Sequence, residues 1–460
     1  MITLTFQKGG QPLYMQLYRR LKEAVRQGEI APRQKLPSRR KLAAHLGVSV
    51  STVDAAYAQL LSEGFIESRP KQGYYACQVE KLQERQEKPP ELSRREVRQC
   101  RLDFSASRVD TSRFPTSVWR KLLRSALESP SVLRRSPPQG DASLRSSIAQ
   151  YLYGVRGIQC DPACIVIGAG TDNLIHMLSY IFDSAFIFAM ENPVYNKAYQ
   201  IFARMGHKVV PIEVDGEGIR PALLPNQDRA VVYATPSHQF PLGMTVPINR
   251  RIQLLNWAKQ GSGRYIIEDD YDSEFRYRTR PIPPIYTLDG GARVIYLGTF
   301  SKTMAPSIRI SYMVLPRELA ARFDAVYSVF GSTVSTLEQA ALDRFIRQGH
   351  YERHLNRMRK VYGKKRDALL ARAKALGLVV EGAPAGHHIL LKAGGDSETI
   401  IQRLRERDVG VYSIQPYFIG PVPEQFREYI LLGFGALEEE EIAQGLGIIR
   451  QVMEEAGQCG

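Results

Sequence analysis

The chain has 460 residues, 44% of them hydrophobic, and carries a formal net charge of +15 at pH 7. This length predicts two or three domains of ordinary globular composition. No apolar run approaches the roughly 20 residues that a membrane-spanning helix needs, and the N-terminus lacks a signal-peptide pattern. The five scattered cysteines suggest neither a disulfide framework nor a zinc site. We therefore expect a cytoplasmic protein with no membrane partner and no metal.

The positive charge is concentrated at the N-terminus. Residues 1–76 hold 12 Lys and Arg against 5 Asp and Glu. That excess favours a polyanionic partner for this part of the chain, although a basic surface that serves solubility alone would have the same composition.

The first predicted element is an amphipathic helix. Apolar residues recur at helical spacing in "PLYMQLYRRLKEAVRQG", at Leu13, Leu17, Leu21 and Val25. Gly28 is suited to end this helix, because glycine readily adopts the left-handed conformation found after helices.

Two shorter helices and a hairpin follow. Ser38 is predicted to cap the second helix, which Gly47 ends, and Ser49 to cap the third, which Gly64 ends. This spacing is typical of a helix-turn-helix. The following "FIESRPKQGYYA" alternates around a Pro/Gly turn and predicts a small β-hairpin.

This geometry gives the basic residues a candidate role in binding double-stranded DNA. The first turn of the third helix, Ser49 to Thr52 with Ser51, would enter the major groove. Phosphates would be contacted by the basic residues at the start of the second helix and on the hairpin: Arg39, Arg40, Lys41, Arg69 and Lys71. A helical cap with merely solvated arginines is the alternative.

The chain divides at residues 77–100. The segment "QVEKLQERQEKPPELSRREVRQ" has mixed charge, two prolines and no aromatic residue, so it predicts a solvated linker. We therefore predict a DNA-binding domain at 1–76, a linker at 77–100 and a large domain at 101–460.

In the large domain, short apolar runs that end in polar clusters alternate with helical stretches. Examples are "CIVIG", "RAVVYATPSHQFPLG", "RYIIEDDYDSEF" and "RVIYLGTFSKTMAPSIRISYMVLP". This alternation predicts an α/β fold with a mostly parallel sheet, whose functional site lies at the carboxyl ends of its strands.

The polar groups predicted at those strand ends together fit pyridoxal phosphate. A lysine in a partly desolvated, cationic pocket has a lowered pKa and can form a Schiff base, which suits Lys302. Asp269 can keep the pyridine nitrogen protonated, Tyr271 can hydrogen-bond the phenolic oxygen, and Tyr195 can stack on the ring.

The phosphate of this cofactor requires a helix N-terminus and a cation. Gly170 and Thr171 open a predicted helix, and Arg309 supplies the cation, assisted by Thr299 and Ser301. His238 and Gln239 belong to a motif that lines the predicted site. Taken singly, each of these residues could be structural: a solvated lysine, a turn aspartate or a core tyrosine.

Long phrases carry a resemblance to known families. Residues 10–76 resemble the winged helix-turn-helix of the GntR superfamily, through the phrase "LPSRRKLAAHLGVSVSTVDAAYAQLLSEGFIESR". Residues 101–460 resemble fold type I aminotransferases, through the phrases "PPQGDASLRSSIAQYLYGVRGI", "ATPSHQFPLG" and "IIEDDYDSEFRY". Their order resembles the MocR/GabR family of transcription regulators. The resemblance implies a smaller C-terminal α+β subdomain and a homodimer in a domain-swapped, head-to-tail arrangement, with the winged helix of one chain against the large domain of the other.

Three positions depart from these patterns. Val50 stands where relatives carry arginine, and the hairpin reads Lys71-Gln72-Gly73 in place of Gly-x-Gly. "YILLGF" has Leu431 where amino-acid-processing relatives carry an arginine that binds a substrate carboxylate. A buried unpaired carboxylate is costly, so the effector is not a simple α-amino acid, or another cation binds it, or the cofactor itself is the signal.

The leading interpretation is a DNA-binding transcription regulator that depends on pyridoxal phosphate and senses this cofactor, or an amine or amino acid, through an aldimine at Lys302. Such a regulator would associate with the bacterial nucleoid when bound to DNA. A genuine aminotransferase with an added DNA-binding domain is the alternative, and the regulator would retain at most residual half-transamination. A third interpretation makes the large domain only a dimerisation scaffold.

Overall fold

A computed structural model describes residues 6, 11–80, 100–277, 282–382 and 385–457. The chain forms two compact units, Met1–Glu96 and Val97–Gly460. Most of the predicted linker lies outside the described residues, which include only 77–80 and 100 of it. The domain boundaries at 76 and 101 therefore stay predictions.

The first unit contains the predicted helices and hairpin. Its elements in chain order are α1 (Leu13–Gln27), α2 (Arg39–Leu46), α3 (Val50–Ser62), β1 (Ile66–Arg69) and β2 (Gly73–Ala76), with β1 and β2 antiparallel. The predicted caps are confirmed: Ser38 accepts a hydrogen bond from the Lys41 backbone N–H, and Ser49 from that of Thr52. Each satisfies one backbone donor that the helix start leaves free.

The core of this unit follows the predicted apolar stripe with one exception. Leu17, Leu21 and Val25 of α1 are buried together with residues of α3 such as Val53 and Leu60. Leu13 is 43% exposed, because it is the first residue of the helix. The buried stripe is thus one turn shorter than the periodicity predicts.

The second unit is built on an eight-stranded sheet within its described residues, and the predicted mostly parallel topology is confirmed. Its strands are β4 (Ile165–Gly168), β5 (Ile187–Asn192), β6 (Lys208–Asp215), β7 (Gly218–Ile219), β8 (Ala230–Ala234), β9 (Arg264–Asp270), β10 (Val294–Thr299) and β11 (Ser311–Val314). Their order across the sheet is β4-β11-β10-β9-β8-β5-β6-β7. The five neighbouring strands from β10 to β6 are parallel, and the outer strands β4, β7 and β11 are antiparallel to their neighbours.

The second unit also contains helices. Their bounds are α4 (Thr116–Leu127), α5 (Ala142–Arg156), α6 (Thr171–Ile181), α7 (Asn196–Arg204), α8 (Ile248–Lys259), α9 (Ile285–Asp289), α10 (Arg317–Tyr327), α11 (Thr336–Arg347), α12 (His350–Ala375), α13 (Ser397–Glu406) and α14 (Glu439–Gly457). Several of them, such as α6, α7 and α8, pack on the eight-stranded sheet. Among the helices of the described residues, none combines the length and apolar character needed to cross a bilayer. Strands β8 and β9 are buried along their whole length, as expected for a parallel sheet covered on both faces.

The C-terminal part forms a smaller antiparallel sheet. Its strands, in the order β12-β13-β16-β15, are β12 (Val380–Glu381), β13 (His388–Lys392), β15 (Tyr412–Ser413) and β16 (Tyr429–Gly433). A short parallel pair joins β3 (Leu102–Asp103) to β14 (Val409–Gly410). The chain segment that follows the predicted linker is therefore hydrogen-bonded to the C-terminal part of the same unit.

Candidate functional site

A cavity of about 460 Å³ lies at the carboxyl ends of the parallel strands. The loops after β4, β5, β9 and β10 all reach it, because parallel strands end at the same edge of a sheet. The structure brings together eight of the predicted cofactor residues in its wall: Thr171, Tyr195, Asp269, Tyr271, Thr299, Ser301, Lys302 and Arg309.

Lys302 follows β10 and is partly buried. Its Nζ donates a hydrogen bond of 2.6 Å to the carbonyl oxygen of Ala106. Burial lowers the pKa of the lysine to about 8, although the nearby Asp272 carboxylate opposes this shift. A larger share of the amine is then neutral near pH 7, as a nucleophile that attacks an aldehyde requires.

Asp269 lies near the end of β9 and is buried. Burial raises the pKa of its carboxyl to about 7, while the hydroxyl of Tyr233, which donates to Asp269 Oδ2, works against that rise. A protonated ring nitrogen placed against this carboxyl would favour its ionised form. The position therefore fits the predicted partner of a pyridine nitrogen.

Tyr271 is held by a buried histidine and aspartate. His238 Nδ1 is 2.9 Å from Asp272 Oδ2 and 3.1 Å from the Tyr271 hydroxyl oxygen. Since the carboxylate oxygens of Asp272 act as acceptors here, we assign the proton to Nδ1, and the tyrosine oxygen accepts from the same N–H. The tyrosine then keeps its own proton to donate into the cavity.

His238 itself does not line the cavity, although its motif does. Its side chain is only 1% exposed, and ligand atoms of His238, Asp272 and His388 lie within 4.8 Å of one another. Hydrogen bonds account for this cluster: His238 to Asp272, and His388 Nε2 to the Pro241 carbonyl at 3.2 Å. The histidine thus acts on the site through Tyr271.

Gln239 is fully buried and supports the loop around it. Its Nε2 donates to the carbonyl oxygens of Pro193 and Phe240, each at 2.9 Å, and its Oε1 accepts from the Leu242 N–H. Phe240 and Thr235 are the residues of this loop that line the cavity. Sequence reasoning missed them, although the phrase "ATPSHQFPLG" contains both.

The predicted phosphate site lies where α6 begins. Gly170 precedes the helix with φ +91°, and a Cβ at this position would overlap the guanidinium of Arg309. Within the described residues, the buried Ser301 Oγ has no hydrogen-bond partner. Backbone N–H groups, a guanidinium and a free hydroxyl together fit a dianionic phosphate.

We expect Gly170→Ala to weaken binding of pyridoxal phosphate. The added methyl group displaces Arg309 and strains a backbone conformation that alanine rarely adopts. Loss of this one cation should lower the affinity by about tenfold or more, measured by absorbance titration of the apoprotein. Gly206→Ala is the matched control, because Gly206 has φ +85° but open space around its Cβ position. Equal affinities for both variants and wild type would contradict this role of Gly170.

Tyr195 borders the cavity just before α7. Its hydroxyl donates to Asp172 Oδ1 at 3.0 Å, and its ring meets that of Phe240 edge-on. Several further lining residues were missed: Ser105, Ala106, Ser107, Asp172, Asn196, Lys197, Asp272, Pro306, His387, His388, Tyr412, Tyr417 and Leu431, the last noted only as a departure from the pattern. Many come from segments distant along the chain, whose local sequence gives no sign of a shared cavity.

The three basic residues at the start of α2 that are predicted to contact DNA differ in their surroundings: all three are exposed, but one of them forms an ion pair with α3. Arg40 and Lys41 are exposed at the start of α2. Arg39 instead forms an ion pair with Asp54 of α3 and is 47% exposed. Arg39 therefore links the two helices as well as facing solvent.

The first turn of α3 presents short side chains. Ser49 Oγ lies 2.8 Å from both Ser51 Oγ and Thr52 Oγ1. Val50 is 46% exposed beside them. This surface can contact bases through hydroxyl groups and one apolar side chain.

The hairpin carries the remaining basic residues. Arg69 Nε donates to Glu67 Oε1 at 2.7 Å, and its guanidinium lies 4.4 Å from the centre of the Tyr75 ring. Lys71, at the tip, has φ +59° and is exposed. The hairpin thus offers an exposed lysine and an arginine that is already paired with Glu67.

Comparisons with known proteins agree with this architecture. Residues 13–75 match the family "Bacterial regulatory proteins, gntR family", and residues 99–431 match "Aminotransferase class I and II". An uncharacterised HTH-type transcriptional regulator of Bacillus subtilis, YdeL, is 40% identical over 95% of both chains. The probable rhizopine catabolism regulatory protein MocR of Rhizobium meliloti is 31% identical over 95% of this chain and 93% of its own.

Solved structures resemble the second unit. A multiple substrate aminotransferase from Thermococcus profundus has a TM-score of 0.70 with 23% identity, over 79% of this chain and 94% of its own. The pyridoxine biosynthesis regulator PdxR of Corynebacterium glutamicum is a further sequence relative, 29% identical over 93% of both chains. The chain therefore belongs to the aminotransferase class I and II family, joined to a gntR-family helix-turn-helix domain as in the MocR-type transcriptional regulators.

Proposed function

We propose that this protein is a DNA-binding transcription regulator that holds pyridoxal phosphate and responds to the cofactor itself or to an amine or amino acid. The observation that carries the proposal is the single cavity formed by Lys302, Asp269, Tyr271, Arg309 and the start of α6. When bound, pyridoxal phosphate supplies an aldehyde on an electron-withdrawing ring.

Each residue has a task in holding this group. Lys302 provides a neutral amine, Asp269 favours a protonated ring nitrogen, and the Tyr271 hydroxyl donates a hydrogen bond to the phenolic oxygen. Arg309 and the backbone N–H groups at Thr171 bind the phosphate. Tyr195 and Phe240, whose rings meet edge-on in the cavity wall, would pack against the cofactor ring and exclude water from it.

The winged helix-turn-helix is proposed to bind double-stranded DNA in the bacterial cytoplasm. The exposed Arg40, Lys41 and Lys71 supply phosphate contacts, and the first turn of α3 faces the major groove. For regulation, the effector must bind one arrangement of the protein more tightly than another, because equal affinity shifts no equilibrium.

We also propose that two copies associate. Leu133 and Val329 of the second unit are 79% and 78% exposed, and Phe330 is 55% exposed. Val329 and Phe330 are consecutive in the chain, and exposed apolar side chains that adjoin one another favour burial against another molecule. A dimer would read two half-sites and bind DNA with a steep salt dependence. The head-to-tail arrangement remains a prediction.

The decisive experiment measures cofactor, DNA and turnover on one preparation. Protein loaded with pyridoxal phosphate should absorb visible light, select specific fragments from a genomic DNA library, and change its affinity for them when the cofactor is removed. It should show no sustained transfer of amino groups from amino acids to keto acids. Sustained transfer without selective DNA binding would favour the aminotransferase alternative, and absent visible absorbance would favour the scaffold alternative.

A further inference from the structure

The wall of the cavity around Leu431 is apolar. Leu431 lies on β16 opposite Leu390 of β13 and Tyr412 of β15, and it is 1% exposed. It belongs to a separate hydrophobic cluster, against which Phe240 and Tyr417 pack. A ligand group that reaches this part of the wall meets hydrocarbon and aromatic surface.

The cations of the cavity have other partners. Among its described lining residues, the cationic side chains are Lys197, Lys302 and Arg309. Lys197 Nζ is 3.2 Å and Arg309 Nη2 3.6 Å from the same carboxylate oxygen of Asp172. Arg309 also borders the proposed phosphate site, and Lys302 is the proposed attachment point. Within the described wall, Lys197 is therefore the one cation not assigned to the cofactor, and it is 64% exposed and already paired with Asp172.

Two histidines that also line the cavity are neutral. Burial is the main cause that holds the pKa values of His387 and His388 well below the ordinary range, and the nearby Lys302 and His238 side chains lower them further. In the described residues, neither ring nitrogen of His387 has a hydrogen-bond partner. A neutral imidazole offers one donor and one acceptor, which suits a hydroxyl or amine group better than a carboxylate.

These observations point to the chemical class of the effector, and the inference depends on the proposed function. We propose that the cavity accepts a primary amine that carries no carboxylate, with its amino group towards Lys302 and its uncharged substituent against Leu431 and Phe240. An α-amino acid would bury its carboxylate without a cation beside it, which is unfavourable in a desolvated site.

The test uses amines paired with the amino acids from which they differ by one carboxylate. Protein loaded with pyridoxal phosphate is titrated with isoamylamine against leucine and with phenethylamine against phenylalanine, and the visible absorbance of the bound cofactor is followed. Each amine should shift the spectrum at a concentration at least about tenfold lower than its amino acid does. Equal or better response to the amino acid, or no response to either amine, would overturn the inference.

Two variants at one position sharpen this comparison. Leu431→Arg should reverse the preference, because it places a cation where the wall is now apolar. Leu431→Met conserves volume and should leave the preference unchanged. The wild-type comparison is decisive even if the arginine variant does not fold. Failure to acquire visible absorbance would contradict the proposed function, whereas normal absorbance with an amino-acid preference would contradict only this inference.

Discussion

Lys302→Ala is expected to abolish covalent attachment of pyridoxal phosphate. The wild-type amine is partly desolvated, and burial lowers its pKa to about 8, so it can react with an aldehyde near neutral pH. Alanine leaves the phosphate site at Gly170 and Arg309 intact but removes the only atom of this side chain that can form the bond. The variant should lose the characteristic visible absorbance, and borohydride reduction should add no cofactor mass to the peptide that contains residue 302.

Lys197→Ala is the matched control for this result. Lys197 lines the same cavity, but it is 64% exposed and paired with Asp172. It should retain the absorbance and the reducible label at Lys302. If Lys302→Ala were still labelled, or if Lys197→Ala lost the label instead, the assignment of the attachment site would be wrong.

Removal of the two exposed cations at the start of α2, Arg40 and Lys41, is expected to cause a large loss of DNA affinity. Arg40 and Lys41 are exposed, and α2 begins beside the candidate recognition helix. Each phosphate contact contributes about 0.9 to the slope of log affinity against log salt concentration. The double variant Arg40→Ala/Lys41→Ala should therefore reduce this slope by about two, and weaken binding to a random-sequence duplex by on the order of tenfold or more at low salt.

A second double variant separates position from net charge. Arg19 and Arg26 of α1 are also exposed, and Arg19→Ala/Arg26→Ala removes the same two charges. Fluorescence anisotropy across a salt series should give this control nearly the wild-type slope. Identical slopes for the two double variants would mean that overall charge, and not the face formed by α2 and α3, determines binding.

Local signals in the sequence were sufficient for most of the fold. The apolar spacing and the caps at Ser38 and Ser49 depend on residues a few positions apart, and the structure contains the helices that they predict. The parallel strands were also predictable, because continuous apolar runs such as that of β9 mark strands buried on both faces. The short strands β12, β14 and β15 have no such pattern, because each is two residues long.

The site was predictable where it lies at strand ends and not where distant segments meet. Lys302 and Asp269 follow apolar runs, so their position at one sheet edge could be expected. His387 and Tyr412 reach the same cavity from the C-terminal sheet, and no local pattern indicates that approach. The pairing of Arg39 with Asp54 is likewise a product of how α2 packs on α3.

The hydrogen bond from Lys302 to Ala106 has a consequence for how a bound ligand could be sensed. Ala106 lies shortly after the predicted linker, and its neighbours Ser105 and Ser107 also line the cavity. When the Lys302 nitrogen forms a covalent bond to a ligand, it loses N–H groups of the kind that now donate a hydrogen bond to the Ala106 carbonyl oxygen. Occupancy of the cavity would thus be registered first at residues 105–107, which closely follow the short strand β3 of the second unit.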